Sequence, residues 1–111
     1  MKIALVAHGD NPPYLKELFN GEGFELVEKE CTNEKEYIDL LKDADGALIY
    51  LHPLTTKEVM EQCSNLKVIS RGGVGVDSVD LEAATELGIC ICNTPGINTT
   101  EVADHAMAML L

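Results

Sequence analysis

Short apolar segments alternate five times with segments of helical periodicity along this chain. Each apolar segment is rich in Val, Ile, Leu or Ala, and a short loop separates it from the helical segment that follows. Two strands joined through a single helix typically lie parallel, and the crossover between them is right-handed in nearly all proteins. The alternation therefore predicts an α/β fold with one parallel sheet. The predicted strands are 2–7, 24–28, 46–51, 67–70 and 89–92.

The segments between the strands carry the start and stop signals of helices. Pro13 suits the first turn of the first helix, and Asp80 and Gly88 are typical of the beginning and the end of the fourth. One of the two polar residues at 32–33 begins the second helix, and one of those at 55–56 begins the third. These signals predict a flavodoxin-like, doubly wound, five-stranded parallel sheet with helices on both faces.

Length and composition limit what such a chain can do. With 111 residues, of which 46% are apolar, it can form one domain without a disulfide framework. Its formal net charge of −11 opposes binding to nucleic acid and to anionic lipid, because both require clustered Lys and Arg. No apolar run reaches the ~20 residues of a membrane span, and the first residues lack the apolar stretch of a signal peptide. We therefore expect a soluble cytoplasmic protein without a nucleic-acid or membrane partner.

Four cysteines stand at positions 31, 63, 90 and 92, without the spacing of a zinc site. We predict free thiols in the core and no metal site. Cys90 and Cys92 are two residues apart, so both point to one face of the fifth strand, where small side chains pack well. A redox pair at these two positions is the alternative.

Candidate ligand sites follow from the fold. In a doubly wound sheet, ligands bind beyond the carboxyl ends of the strands. The loops that follow the first, third, fourth and fifth strands are therefore the ones to consider. They are residues 8–10, 52–54, 71–77 and 93–98.

The loop after the fourth strand is the most informative segment, with the sequence Ser-Arg-Gly-Gly-Val-Gly-Val-Asp over residues 70–77. Its glycines permit positive φ and close approach of a ligand, so that the N–H groups can form an anion-binding nest. Arg71 adds positive charge to an otherwise acidic chain. The alternative is a strand-to-helix turn in which the glycines serve geometry alone and Arg71 pairs with a nearby carboxylate.

Other ligand-binding motifs of such folds are absent from the sequence. The third glycine of a dinucleotide-binding GxGxxG falls on Ser78, and a Walker loop needs a Gly-Lys-Ser/Thr that does not occur. The aspartate that a phosphoacceptor domain carries after its third strand is missing, since residues 51–53 read Leu-His-Pro. The Asn-Pro-Pro segment at 11–13 does not resemble an FMN phosphate loop.

Two further polar residues in these loops are candidates. Asn98 is a typical helix N-cap with Glu101 in capping-box position, and a ligand role at a helix N-terminus is compatible with that cap. His52 either ends the third strand or takes part in a site. His105 falls on the apolar stripe of the last helix and is expected to be packed.

Matched segments follow one another through the second half of the chain. They are LKVISRGGVGVD (66–77), VDLEAA (79–84), GI (88–89), NTPG (93–96), Asn98 and VADH (102–105). Together they resemble the D-isomer-specific 2-hydroxyacid dehydrogenase family, which includes phosphoglycerate dehydrogenase, glyoxylate/hydroxypyruvate reductase and formate dehydrogenase. The resemblance is dense over residues 66–111 and looser over residues 1–65.

The resemblance implies a substrate-binding domain over residues 1–97 and the start of an interdomain helix over residues 98–111, which leads to a Rossmann domain outside this chain. It implies hydride transfer between NAD or NADP, bound mainly by that other domain, and a small D-2-hydroxy or 2-oxo acid. The N–H groups of Val74 and Gly75 would receive the substrate carboxylate, Val74 would border the nicotinamide, and Asn98 would contact the substrate. A homodimer is expected for the full-length protein.

The resemblance places the catalytic arginine, histidine and glutamate of the family beyond residue 111, so no catalytic residue is assigned and these residues alone are expected to be inactive. The apolar run at 106–111 lacks a stop signal, which predicts that the natural chain continues. Residues 50–53 read Tyr-Leu-His-Pro instead of the Arg-Ser of many phosphoglycerate dehydrogenases, which weighs against 3-phosphoglycerate. His52 and Arg71 complete the candidate substrate-binding residues. The alternative function is a free-standing flavodoxin-like ligand-binding or regulatory module without catalysis.

Overall fold

The computed structural model describes residues 1–7 and 11–111, and within them five strands alternate with five helices. The candidate loop at 8–10 lies outside the described residues. The strands and helices follow in the order β1 (Lys2–Val6), α1 (Tyr14–Gly21), β2 (Glu25–Lys29), α2 (Glu34–Leu41), β3 (Gly46–Ile49), α3 (Lys57–Glu61), β4 (Val68–Arg71), α4 (Leu81–Leu87), β5 (Cys90–Cys92) and α5 (Thr99–Leu110).

The strands of the described chain form one parallel sheet in the order β2-β1-β3-β4-β5. Ala4 of β1 is level with Val27 of β2 on one side and with Ala47 of β3 on the other. Ile69 of β4 is level with Ala47 and with Ile91 of β5. From the central pair β1 and β3 the chain winds outward in opposite directions. The predicted doubly wound α/β fold is confirmed.

The main core lies between one face of the sheet and the helices α2, α3 and α4. Ala4, Ile49 and Ile69 point to this face, and none of them is more than 1% exposed. They belong to one apolar cluster with helix side chains such as Tyr37 and Val59. Side chains of a strand alternate between the faces, so every second residue of the central strands enters this core.

The opposite face of the sheet is covered less. Phe19 of α1 lies beside Ile3 and Leu48 around a groove of about 170 Å³ on this face. Val68 borders the same groove and remains 38% exposed. Helices therefore lie on both faces, as predicted, with α1 alone on the second face among the described helices that pack on the sheet.

The core prediction is wrong for two of the four cysteines. All four thiols are free, with Cys63 buried and Cys31 half-buried, but Cys90 and Cys92 are exposed. Both lie on the less covered face of β5, which is the edge strand of the sheet. A side chain on an edge strand is buried only where another element lies over it, and no described helix covers this one.

Helices α2, α3 and α4 begin at predicted cap residues. The Oδ1 of Asn33 accepts the N–H of Glu36 at 2.9 Å, and Thr56 caps α3 in the same way. The carboxylate of Asp80 accepts an N–H of the first turn of α4 at 3.0 Å, and Gly88 ends that helix at φ 71°. Such caps depend on residues close in sequence, so a sequence pattern can identify them.

Helix α5 does not contribute to the core. Every residue of 99–111 is exposed, including Val102 at 60% and Leu110 at 80%. His105 is exposed as well, so the expectation that it is packed is wrong; no described element covers its stripe. Neither α5 nor another described helix has both the length and the apolar character needed to cross a membrane.

Candidate functional site

The loops after β3, β4 and β5 meet at the carboxyl-terminal edge of the sheet, with the glycine loop (residues 71–77) between the other two. On one side, the N–H of Gly72 donates to the carbonyl of Ile49 at 2.8 Å. On the other side, the Nδ2 of Asn93 donates to the carbonyl of Val74 at 2.8 Å. The backbone of the glycine loop is therefore attached on both sides to the ends of strands.

Two backbone donors of this loop remain available among the described residues. The N–H groups of Val74 and Gly75 make no hydrogen bond to any residue that the structure describes. Val74 is 41% exposed, and Gly75 has open space on its side-chain side. Adjacent N–H groups without an internal partner can donate to an anion, although none of the glycines at 72, 73 and 75 adopts the positive φ that their sequence permits. The donors needed for the predicted carboxylate contact are present, and the contact itself stays a prediction.

The Arg71 side chain folds back over the glycine loop. Its guanidinium occupies the space where a side chain at Gly73 would stand, with Cζ 2.7 Å from the position of a Cβ there. The Nε of Arg71 is buried without a hydrogen-bond partner among the described residues, and none of the ion pairs in that part of the chain includes Arg71. The alternative in which Arg71 pairs with a nearby carboxylate therefore does not hold for the described part of the chain. A guanidinium without a carboxylate partner is suited to bind an anionic ligand.

A cavity of about 280 Å³, named here the Arg71 cavity, opens beside the glycine loop. It brings together two predicted site residues, His52 from the loop after β3 and Arg71 from the end of β4. His52 is exposed to solvent. A cavity of this volume has room for a small organic acid. The lining residues are Tyr50, Leu51, His52, Arg71 and Gly72.

The other predicted site residues lie outside the walls of this cavity. Val74 and Gly75 are farther along the glycine loop, and Asn98 directly precedes α5. Asn98 occupies the N-cap position, but its side chain makes no cap hydrogen bond, so the predicted capping box with Glu101 is wrong. Its backbone, at φ −122° and ψ 24°, lies outside the extended region that a capping residue usually adopts. The Asn98 amide is exposed and is not engaged in a cap.

Sequence reasoning did not propose Tyr50 as a site residue, although it noted the Tyr-Leu-His-Pro segment at residues 50–53. The ring of Tyr50 lies against Gly72, so that a Cβ at Gly72 would stand 2.7 Å from the ring atom Cε1. Its hydroxyl donates to Oδ1 of Asn11 at 3.1 Å. An aromatic residue at the carboxyl end of a central strand is the sequence signal that could have identified it.

A second cavity, of about 300 Å³, lies between the beginnings of α3 and α4. Glu58, Asp77 and Asp80 line it, without a lysine or arginine. Because these carboxylates repel an acid, the Arg71 cavity is better suited to an anionic ligand. Within residues 1–7 and 11–111, no group of three or more His, Cys, Asp or Glu side chains is placed to hold a metal ion.

Comparison with known proteins gives the same family as the sequence motifs. Residues 4–108 match the family described as D-isomer specific 2-hydroxyacid dehydrogenase, catalytic domain. The D-3-phosphoglycerate dehydrogenase of Sus scrofa is 36% identical over 99 residues, which are 89% of this chain and 19% of that protein. The D-3-phosphoglycerate dehydrogenase of Methanocaldococcus jannaschii is 41% identical over 78 residues, which are 70% of this chain and 15% of that protein.

Two solved structures superpose closely on this chain. The TT0316 protein of Thermus thermophilus superposes with a TM-score of 0.87 at 32% identity, over 100% of this chain and 36% of that one. The NAD+-bound 3-phosphoglycerate dehydrogenase of Entamoeba histolytica gives 0.86 at 29% identity, over 99% of this chain and 38% of that one. This chain thus spans a minor part of its relatives, and that part is matched almost throughout. The chain belongs to the D-isomer specific 2-hydroxyacid dehydrogenase family.

Proposed function

We propose that this chain is the substrate-binding part of an NAD- or NADP-dependent dehydrogenase that interconverts a D-2-hydroxy acid and the corresponding 2-oxo acid. The observation that carries the proposal is Arg71, which lies over the glycine loop without a carboxylate partner among the described residues. In the same loop, the N–H groups of Val74 and Gly75 have no hydrogen-bond partner within the described part of the chain. A cation near two open N–H donors suits a carboxylate, which every 2-hydroxy and 2-oxo acid carries.

The residues of this chain bind and orient the acid. Arg71 and the two N–H donors hold its carboxylate, while His52 contacts the remainder of the acid across the Arg71 cavity. Asn98, whose amide is not engaged in a helix cap, contacts the acid from the start of α5. The groups that transfer protons are assigned to residues outside 1–111, so no catalytic residue is proposed here.

The cofactor assignment rests on relatives that were solved with NAD or NADPH and on the exposed side chain of Val74. The Staphylococcus aureus formate dehydrogenase, 31% identical over 100% of this chain, is NAD-dependent and was solved with NAD. An acyclic imino acid reductase, 28% identical over 97% of this chain, was solved with NADPH. The apolar, exposed side chain of Val74 fits contact with a nicotinamide ring, the group that supplies or accepts the hydride when the cofactor is bound. The remaining contacts to the cofactor are assigned to another domain, because this sequence lacks a complete GxGxxG.

The charge of the Arg71 cavity favours a small, singly charged acid. Arg71 is the one arginine of the chain, and it is the one permanent cation among the described residues that line the cavity. A single guanidinium engaged with the carboxylate leaves no cation in the wall for a phosphate group. We therefore place glyoxylate and hydroxypyruvate ahead of 3-phosphohydroxypyruvate as substrates, although the relatives named above include phosphoglycerate dehydrogenases.

We extend the proposal to the organisation of the protein. Residues 1–97 form the substrate-binding domain, and residues 98–111 begin an interdomain helix; the exposure of every residue of 99–111 supports this division. The apolar side chains exposed on α5 also support a homodimer of the full-length protein, because a surface of this kind is normally covered. The net charge of −11 supports the expectation that the protein has no nucleic-acid or anionic membrane partner, and we place the enzyme in the cytoplasm.

The test uses the complete gene product that contains this chain. Oxidation of NADH and of NADPH is followed by absorbance with glyoxylate, hydroxypyruvate, pyruvate and 3-phosphohydroxypyruvate in turn. We expect turnover of at least one acid, with glyoxylate or hydroxypyruvate preferred. Absence of turnover with every acid and both cofactors would overturn the proposal.

Variants of Arg71 test the residue on which the proposal depends. Arg71→Ala should raise the KM of the 2-oxo acid by roughly tenfold or more, the loss expected for a hydrogen bond to a charged group. Arg71→Lys should reverse part of this increase in KM, because it keeps the positive charge. The recovery should be incomplete, because lysine cannot form the bidentate contact of a guanidinium. Lys42→Ala is the control, since Lys42 pairs with Asp39 on the exposed surface of α2. An unchanged KM in Arg71→Ala would exclude Arg71 from carboxylate binding.

A further inference from the structure

Tyr50 forms one wall of the Arg71 cavity, and two of its contacts with described residues bear on the direction of its ring. One side of the ring lies on Gly72, where the absence of a Cβ lets Cε1 and Cδ1 approach the backbone. At the far end of the ring, the hydroxyl donates to Oδ1 of Asn11 at 3.1 Å. The hydrogen bond therefore helps to fix the orientation of the Tyr50 ring. Because this ring lines the cavity, its orientation affects the width of the cavity.

Asn11 is itself held by a second hydrogen bond. Its Nδ2 donates to Oε1 of Glu28 at 2.9 Å, while its Oδ1 accepts from Tyr50, so both ends of the amide are engaged. The other carboxylate oxygen of Glu28 lies 3.3 Å from Nζ of Lys16. The hydrogen bond from Asn11, with the contribution of Lys16, holds the pKa of Glu28 below its usual value. A polar chain thus runs from α1 and β2 to the wall of the cavity.

We propose that Asn11 is a positioning residue of the substrate site: it orients the ring of Tyr50 through its Oδ1 and so sets the fit of the 2-oxo acid in the Arg71 cavity. Glu28 fixes the orientation of the Asn11 amide in turn. Asn11 lies outside the cavity wall, so its effect on the acid is transmitted through Tyr50. The inference rests on the proposed function, because it concerns how that same site fits its acid.

Removal of the Asn11 amide takes away the acceptor of this hydrogen bond, and the preferred orientation of the ring should change as a result. A small displacement of a wall that fits a small acid weakens productive binding of that acid far more than it weakens folding. Binding of the cofactor, whose contacts we assign mainly to another domain, has no reason to change. Asn11 should therefore affect the KM of the 2-oxo acid selectively.

The experiment combines steady-state kinetics with NMR of the complete gene product, with tyrosine rings labelled with ¹³C. We compare Asn11→Ala, Tyr50→Phe and the double variant with the wild-type protein. Asn11→Ala should shift the Tyr50 ring resonance, raise the KM of the preferred 2-oxo acid roughly tenfold and leave the KM of the cofactor unchanged. The double variant should be no worse than Tyr50→Phe alone, because both changes remove one interaction.

Two further variants separate positioning from a general structural effect. Glu28→Gln keeps an oxygen that accepts from Asn11 Nδ2 and should retain nearly the wild-type KM, while Glu28→Ala should share part of the Asn11→Ala defect. Asn65→Ala replaces an exposed asparagine outside the site and should leave both KM values unchanged.

The outcomes are distinguishable. An unchanged Tyr50 resonance in Asn11→Ala overturns the inference, and so does an unchanged KM or a double variant whose defect is the product of the two single defects. If the wild-type protein reduces none of the acids, the proposed function fails, and the ring resonance alone decides whether Asn11 orients Tyr50.

Discussion

The guanidinium of Arg71 stands in the space that a side chain at Gly73 would occupy. The two residues therefore depend on each other: the glycine leaves the volume, and the arginine fills it. Gly73 does not have a positive φ, so the absence of a Cβ at this position is explained by the space that the arginine fills and not by the backbone conformation. This relationship keeps the one arginine of the chain beside the open N–H groups of the glycine loop.

Gly73→Ala should impair binding of the acid more than it impairs folding. The new Cβ would overlap the guanidinium, which is the far end of a flexible side chain and can move away. We expect the KM of the 2-oxo acid to rise roughly tenfold, because the displaced cation no longer meets the carboxylate, with a change in unfolding free energy below about 1 kcal/mol. Steady-state kinetics and urea denaturation measure the two effects. Gly21→Ala, at an open position, is the control.

Gly72→Ala should be the more destabilising of the two neighbouring changes. Its Cβ would lie 2.7 Å from Cε1 of Tyr50 and 3.6 Å from the carbonyl oxygen of Ile49. The aromatic ring is held at its other end by Asn11, so it yields less readily than an arginine terminus. We expect a loss of about 1–3 kcal/mol of unfolding free energy, as for other overpacked sites. A denaturation midpoint equal to that of Gly73→Ala would contradict the assignment of Tyr50 as the firmer neighbour.

Asn98→Ala should leave stability nearly unchanged and lower the use of the acid. The Asn98 side chain makes no cap hydrogen bond, so its loss should cost no more than about 0.5 kcal/mol. Asn33→Ala is the matched comparison, because Asn33 caps α2 with a bond of 2.9 Å, and its loss should cost about 1 kcal/mol. Thermal denaturation and KM for the 2-oxo acid are measured on both variants. An equal loss of stability in the two would show that Asn98 acts as a cap.

The parts of the fold that sequence reasoning identified are those determined by neighbours along the chain. The caps at Asn33 and Asp80 and the stop at Gly88 each depend on residues within one helical turn. The buried central strands could be predicted from the sequence because both of their faces are apolar. The exposure of Cys90 and Cys92 on the edge strand was not predicted correctly. Their exposure depends on which elements cover that strand, and the residue type cysteine gives no information about this.

The candidate site also combines features that a local sequence pattern indicates with features that depend on the three-dimensional fold. The glycine loop and Arg71 stood out as a local pattern, but the fold of the arginine onto Gly73 depends on the shape of the loop in space. The contact between Tyr50 and Asn11 joins residues 39 positions apart, which no local pattern connects. The candidate loops could be predicted because they follow the ends of strands. Which side chains contact one another across those loops could be seen only in the structure.

The buried hydrogen bond between Tyr37 and Thr55, 2.6 Å long, should make stability depend on pH in the alkaline range. Burial raises the pKa of Tyr37 from 10.0 to about 12, although the bond to Thr55 lowers it in part. Below pH 10 the neutral phenol contributes fully; between pH 10 and 12 only the unfolded chain loses the proton, so unfolding becomes easier. Tyr37→Phe should cost about 1–3 kcal/mol near neutrality, and its disadvantage against the wild type should shrink as the pH rises through that range. Urea denaturation of both proteins across this range tests the expectation, and a constant difference would refute it.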